Sequence, residues 1–257
     1  MSWWELLLVA LAGGGAGLIN AVVGTGTLIT FPTLLAFGVP PVLANVSNSI
    51  GLAPGSLSAA LASRPDLAGQ RPRVLRYGIA SLLGSIVGAL LLLWLPPSAF
   101  KTIVPVLIGL GCVLVIIGPW LTRRIAARRE RLGVLDGDVS AVGPAWLFPA
   151  IIFTGMYGGY FGAAQGVLVM AIMGVALAES MARINGLKNV LVMIANAVAG
   201  VVFVIISEVD WPIVLALAIG SVLGAQVGAR IGRKLPPVVY RTVIVTVGVL
   251  AILSLVR

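Results

Sequence analysis

A chain of 257 residues that is 60% hydrophobic and only 10% charged, with a mean hydropathy of +1.12, needs hydrocarbon rather than water as the solvent for most of its surface. It has no histidine and one cysteine, Cys112, which excludes a disulfide framework, a thiolate cluster and a zinc or haem site of the usual kind. Its net charge of +9 sits in short connections and not on one continuous face, so it reports membrane orientation rather than nucleic-acid binding.

The N-terminal MSWWELLLVALAGGG lacks the positive region of a signal peptide and reads as a first span. Ten apolar pieces follow one another at about 3–23, 27–37, 41–62, 75–95, 100–122, 141–161, 166–178, 181–206, 211–231 and 238–256. Most reach the roughly 20 residues a crossing needs. Strict apolar/polar alternation is absent, which argues against a β-barrel and leaves helices, whose backbone groups are satisfied within the segment. The second and seventh pieces are short enough to reach only about half to two-thirds of the way, so their neighbours are expected to complete the crossing. Residues 123–140 (RRIAARRERLGVLDGDVS) read as a basic cytoplasmic linker between a first repeat, 1–122, and a second, 141–257.

The repeat rests on particular matches. The stretch from Gly17 to Asn48 has the same grammar as that from Gly155 to Asn189, 138 positions later. Gly84 and Gly88, followed by Pro96 and Pro97, match Gly224 and Gly228, followed by Pro236 and Pro237, at an offset of 140. Equivalent loops carry opposite charge. Arg64, Arg71, Arg73 and Arg76 stand where the second half has Glu208 and Asp210, and the single Lys101 stands where it has Arg230, Arg233, Lys234 and Arg241. The expected fold is therefore an all-α polytopic membrane protein of two five-segment repeats of inverted topology, each with one short half- or re-entrant helix and both chain ends outside the cytoplasm.

On these residues the chain resembles the TauE/SafE (sulfite-exporter, TSUP) family of membrane transporters. The resemblance lies in Gly17 to Pro41, with a glycine-rich turn and a following Pro-Pro, and in ARINGLKN from Ala182 to Asn189, Asn196 and Val209 to Trp211. It covers nearly the whole chain, and implies movement of sulfite, sulfonates such as sulfoacetate, or related anions across a bacterial inner membrane. Where the family often has consecutive glycines, this chain has Gly24-Thr25-Gly26-Thr27 and Gly162-Ala163-Ala164-Gln165-Gly166.

An anion in lipid needs polar donors at the repeat interface, and helix N-termini supply them without a full charge. Both short pieces begin after a glycine-containing turn with a side-chain donor, Thr25 and Thr27 in one and Gln165 in the other. The eighth piece is the richest in polar groups: Asn185, Asn189 and Asn196 share a helix face, with Lys188 about 60° from Asn185. Lys188 either belongs to the site or snorkels to the cytoplasmic face, and the site is the preferred reading. Ser47, Gly51 and Ser58 match Asn185, Asn189 and Asn196 in the first half, with Asn45, Asn48 and Ser49 nearby; the candidate set takes Ser47 and Asn48 from it. Tyr157 and Tyr160 are candidates for the pathway, Pro54 for a kink, and Trp3, Trp4, Trp94, Trp146 and Trp211 for interfacial anchors.

The expected partners are a small anionic substrate and the lipid bilayer, with room for a homo-oligomer; no cofactor, metal or nucleic acid is expected, and no constellation suited to an enzyme is visible. The leading reading is an exporter working by alternating access around a central site. Export is assisted by an inside-negative potential at about 2.3 kcal/mol per charge per 100 mV. An anion channel, or a proton-coupled importer with Glu179 near Lys188, is the alternative.

Overall fold

The computed structural model describes residues 1–131 and 142–231, together with 242, 244–247, 249 and 252. Most of the tenth apolar piece, the second Pro-Pro, Arg233, Lys234, Arg241 and the later part of the linker lie outside the described residues. What is described is helical: α1 (Trp3–Val22), α2 (Thr27–Ala36), α3 (Pro41–Ala62), a 3-10 turn (Arg64–Leu67), α4 (Arg71–Trp94), α5 (Pro97–Arg131), α6 (Leu147–Tyr160), α7 (Gln165–Ala176), α8 (Met181–Ile206) and α9 (Trp211–Ile231).

Local chemistry explains the helix starts. Pro41, Pro72 and Pro97 occupy first turns, where a missing N–H costs nothing. Ser2 and Glu5 close a capping box at α1, the Ser180 hydroxyl accepts from the Arg183 amide at 3.4 Å, and Asp210 Oδ1 accepts from the Ile213 amide at 3.2 Å. The helix α5 runs on through the basic segment as far as Arg131, so the first nine residues of the expected linker are helical. Arg124 lies over the Trp120 ring at 4.9 Å, which gives that exposed extension a side-chain contact of its own.

Among the described residues five helices, α1, α4, α5, α8 and α9, are long and apolar enough to cross a membrane. α3 has 22 residues and so also spans about 33 Å despite its polar positions, and it stays one helix through Pro54. Large hydrophobic side chains remain exposed all along these helices, and Trp3, Trp4, Trp94, Trp146 and Trp211 are all exposed at helix ends, where an interfacial belt requires them.

The short helices do not pass the crossing on to a neighbour. α2, about 15 Å long, folds back along α1: the Phe37 ring meets Trp4 edge-on at 6.1 Å, and a Cβ at Gly26 would lie 2.8 Å from Ala16 O. α7 returns along α6 in the same way, with Leu147 and Leu177 both against Gly143. Each pair is a re-entrant hairpin. The two tips meet inside the bundle, where the Gly166 amide donates to Gly24 O at 3.0 Å, and a Cβ at Gly24 would stand 2.5 Å from Gly166 Cα.

Contacts between the halves come in matched sets. In α1 and α9, Cβ atoms built at Gly17, Gly224 and Gly228 would strike Ser221 O, Gly14 O and Leu18 O at 2.1, 1.9 and 2.6 Å. In α4 and α6, those built at Gly155, Gly84 and Gly88 would strike Ser81 O, Ile152 O and Met156 O at 2.6, 2.0 and 2.0 Å. Each helix of one pair is the sequence counterpart of a helix in the other. Numbers rise together within each pair, so both pairs run parallel, with backbones close enough that only glycine fits.

Between α3 and α8 the numbers run opposite ways. Ile50 packs against Gly200, Ser56 Oγ accepts from Asn196 Nδ2 at 2.9 Å, and Ser63 Oγ accepts from Asn189 Nδ2 at 2.8 Å, so these two counterparts are antiparallel and cross at Ser56. At the offset of 140 given by Gly84 and Gly224, Asn45, Asn48, Ser49 and Ser56 fall opposite Asn185, Lys188, Asn189 and Asn196; at the offset of 138, Ser47, Gly51 and Ser58 fall opposite Asn185, Asn189 and Asn196.

Candidate functional site

The site is built where α1 stops. The amides of Val23 and Gly24 both turn back to Ile19 O, at 2.7 and 3.2 Å, and Gly24 takes φ +83°, a glycine ending that leaves the carbonyls of Asn20 and Ala21 without helical partners. In water those carbonyls would be solvated; here α8 supplies the donors. Lys188 Nζ donates to Asn20 O at 3.0 Å and to Ala21 O at 3.4 Å. Asn185 Nδ2 and Asn189 Nδ2 also reach Ala21 O, each at 3.5 Å.

Three side-chain donors therefore converge on one carbonyl oxygen, which has two lone pairs. All three contacts to Ala21 O are near the limit of a hydrogen bond, so the donors are only partly satisfied. Lys188 is 0% exposed and has no carboxylate partner among the described residues. The negative end of the α1 dipole would offset a charge on Lys188 only in part.

Beside these donors lies a cavity of about 300 Å³, lined by Ala21, Val22, Ser63, Asn185 and Asn189, with Gly228 and Ala229 on its far wall. It sits at the end of the bundle that carries Arg64, Arg71, Arg73, Arg76, Arg183 and Arg230. Elsewhere in the bundle Phe203 is fully buried, and Phe31, Phe100 and Phe161 interlock at centroid distances of 5.0–6.3 Å.

The remaining expected residues divide into two further groups. Asn196 shares Ser56 Oγ with Asn20 Nδ2, at 2.9 and 3.1 Å, a buried bridge two turns deeper in α8. Thr27 and Asn48 belong to the α2 hairpin: Asn48 Nδ2 donates to Thr27 Oγ1 at 3.2 Å, and Thr30 Oγ1 donates to Asn48 Oδ1. Thr25 Oγ1, Ser47 Oγ and Gln165 Nε2 are buried with no hydrogen-bond partner, and Gln165 presses against Gly158. The α7 N-terminus is not open to a ligand, because its Gly166 amide is already bonded to Gly24 O. Tyr157 donates its hydroxyl to Ala163 O, while the buried Tyr160 hydroxyl has no partner.

Glu179 does not approach Lys188. It bridges Arg73 of α4 and Arg183 of α8, the latter at 2.6 Å, while Arg183 also donates to Ala68 O at 2.9 Å. Burial alone would raise the Glu179 pKa, but the hydrogen bonds and charges of Arg73 and Arg183 outweigh it and hold the carboxyl below its ordinary value. The expected proton route through Glu179 thus loses its geometry: the group ties the first-half loop to the second half.

Sequence reasoning missed Asn20, the Ala21 carbonyl, Ser56 and Ser63. Asn20 was legible as a lone amide in an apolar helix three residues before a glycine turn; a backbone carbonyl carries no sequence signal, and Ser63 looks like any residue at a helix end.

Comparison with known proteins agrees with this architecture. A "Probable membrane transporter protein" of Haemophilus influenzae is 26% identical over 219 residues, covering 84% of this chain and 81% of the relative. "Probable membrane transporter protein YfcA" of Escherichia coli K12 is 25% identical over 210 residues, covering 80% and 72%. "Probable membrane transporter protein ORF9" of a Sinorhizobium species is 25% identical over 210 residues, covering 80% and 75%. No solved structure matches the chain significantly. The profile of the sulfite exporter TauE/SafE family matches residues 9–255, nearly the full length, and the chain belongs to that family of multi-pass membrane transporters.

Proposed function

We propose that the protein is a carrier for small sulfur-containing or organic oxyanions, of the class of sulfite and sulfonates such as sulfoacetate, in a bacterial inner membrane. The observation that carries this reading is the convergence of Asn185, Lys188 and Asn189 on a single carbonyl at the wall of a cavity. An oxyanion offers more lone pairs than Ala21 O and a full charge. Lys188 keeps its bond to Asn20 O and turns toward the anion, and both amides exchange a 3.5 Å contact for a charge-assisted one.

Alternating access follows from an inverted repeat, and two features support that repeat. Sequence counterparts α3 and α8 lie antiparallel, as a two-fold axis perpendicular to the helices requires, and the α1/α9 and α4/α6 contacts are counterparts of each other. The cavity lies at the basic end, read as cytoplasmic, and the interlocked Phe31, Phe100 and Phe161 are assigned as the seal toward the other side, which makes the proposed state inward-facing. In the export direction the cavity loads from the cytoplasm and the aromatic seal parts to release the anion.

Proteoliposomes offered sulfite, sulfoacetate, taurine, thiosulfate and sulfate in turn test the reading. At least one anion is expected to show saturable flux and counterflow of label, and Asn185→Ala is expected to lower that flux about tenfold. Linear, non-saturating flux of every anion without counterflow would replace the carrier by a channel.

A further inference from the structure

We infer that Lys188 couples anion binding to proton uptake: the anion enters the site together with one proton, which Lys188 Nζ holds. The inference rests on the anion-site reading above and adds the coupled ion.

Lys188 is the only amine or carboxylate fully buried among the described residues. Elements packed against α8, or bonded to Lys188, bring few ionisable groups toward it. α4 contributes Arg71, Arg73, Arg76 and Tyr77, all at its basic end; the 3-10 turn contributes Arg64 and Asp66; α6 contributes Tyr157 and Tyr160; α3 and α7 contribute none. α1 carries only Glu5, in its first turn, at the opposite end from the Asn20 and Ala21 carbonyls. On α8 itself Arg183 is held by Glu179. At the offset of 140 the first half has Asn48 where the second has Lys188, and Asn48 is a neutral side chain satisfied by Thr27 and Thr30.

With the cavity empty, the amino group faces two carbonyl dipoles and no counter-charge, and in the proposed cycle it stands there as the neutral amine. An anion in the cavity supplies the counter-charge. The neutral amine takes a proton from cytoplasmic water and forms an ammonium–anion pair, in which Nζ gains one N–H bond and no other bond changes. Because linkage is reciprocal, the proton also raises anion affinity. For a monoanion the loaded site carries no net charge, so the loaded crossing responds to the anion and pH gradients rather than to membrane potential.

The test is calorimetric titration of the full-length detergent-purified protein with sulfoacetate, which is fully ionised above pH 6, in two buffers of different ionisation enthalpy. The expected result is uptake of up to one proton, increasing with pH, and affinity that falls about tenfold per pH unit on the alkaline side. Glu179→Gln is expected to retain the uptake, and Lys188→Arg, whose guanidinium stays charged, to abolish it. Binding with the same heat in both buffers and the same affinity at every pH would overturn the coupling while leaving the anion site standing. Absence of binding for sulfoacetate and for every other anion of the flux panel would overturn both.

Discussion

Lys188→Met is expected to abolish saturable anion flux while leaving the protein as stable as before, or more so. Methionine keeps the length and the apolar stem but removes a buried amine that faces two carbonyls and no counter-charge. Ala21 O still receives two amide donors, so the fold loses one satisfied acceptor at Asn20 together with one buried polar group. The anion loses its charged partner, worth about 1.5–3 kcal/mol for a charge-assisted hydrogen bond, or about 10–100-fold in affinity. Counterflow in proteoliposomes read beside thermal unfolding separates the two effects. A large drop in melting temperature with flux intact would make Lys188 a cap for α1 and nothing more.

Glycine substitutions at the matched crossings should have the largest effect on stability. A Cβ at Gly84 would lie 2.0 Å from Ile152 O, and one at Gly224 would lie 1.9 Å from Gly14 O, both against backbone that cannot rotate away. Gly84→Ala and Gly224→Ala are each expected to cost about 3 kcal/mol, a fall of about 10 °C in melting temperature. They should behave alike, because they are counterparts in the two halves. Gly109→Ala is the contrast: its nearest neighbour is a side-chain carbon at 4.0 Å, and it should be neutral or slightly stabilising. A neutral Gly84→Ala would mean that α4 and α6 are not packed as described.

Most of the architecture was legible because membrane helices announce themselves by length and composition. The boundaries of the third, eighth and ninth pieces coincide with α3, α8 and α9, where proline, serine or aspartate starts a helix and an apolar run fills it. The turn-back of α2 and α7 was not legible: a ten- or twelve-residue apolar helix looks the same whether its neighbour continues across or folds back, and only contacts such as Trp4 with Phe37 distinguish them. Neither was the helical extension of α5, since a run of arginines reads as a loop when charge is the only signal.

For the site, the spacing of Asn185, Lys188 and Asn189 revealed the donors and hid the acceptor. What gathers them is the broken end of α1, a property of Gly24 and its positive φ rather than of any polar side chain. Thr25 and Gln165 stand out as polar residues beside glycine turns, and Ser47 as the first-half match of Asn185. The structure buries Thr25 Oγ1, Ser47 Oγ and Gln165 Nε2 without a hydrogen-bond partner, and none of the three bonds to Lys188, Asn185 or Asn189. Glu179 misled for a related reason: nine positions from Lys188 in sequence, it is drawn instead to Arg73, 106 positions away.

The most direct measurement is protection of a cysteine placed in the cavity wall. Cys112 is buried and can be replaced by alanine, leaving Ser63→Cys as the single thiol beside Asn185 and Asn189. If the anion occupies this cavity, sulfoacetate slows alkylation of that cysteine with a saturating concentration dependence, gluconate does not, and Lys188→Met removes the protection. Alkylation at the same rate with every transported anion, in a protein that still carries out saturable flux, would contradict the account.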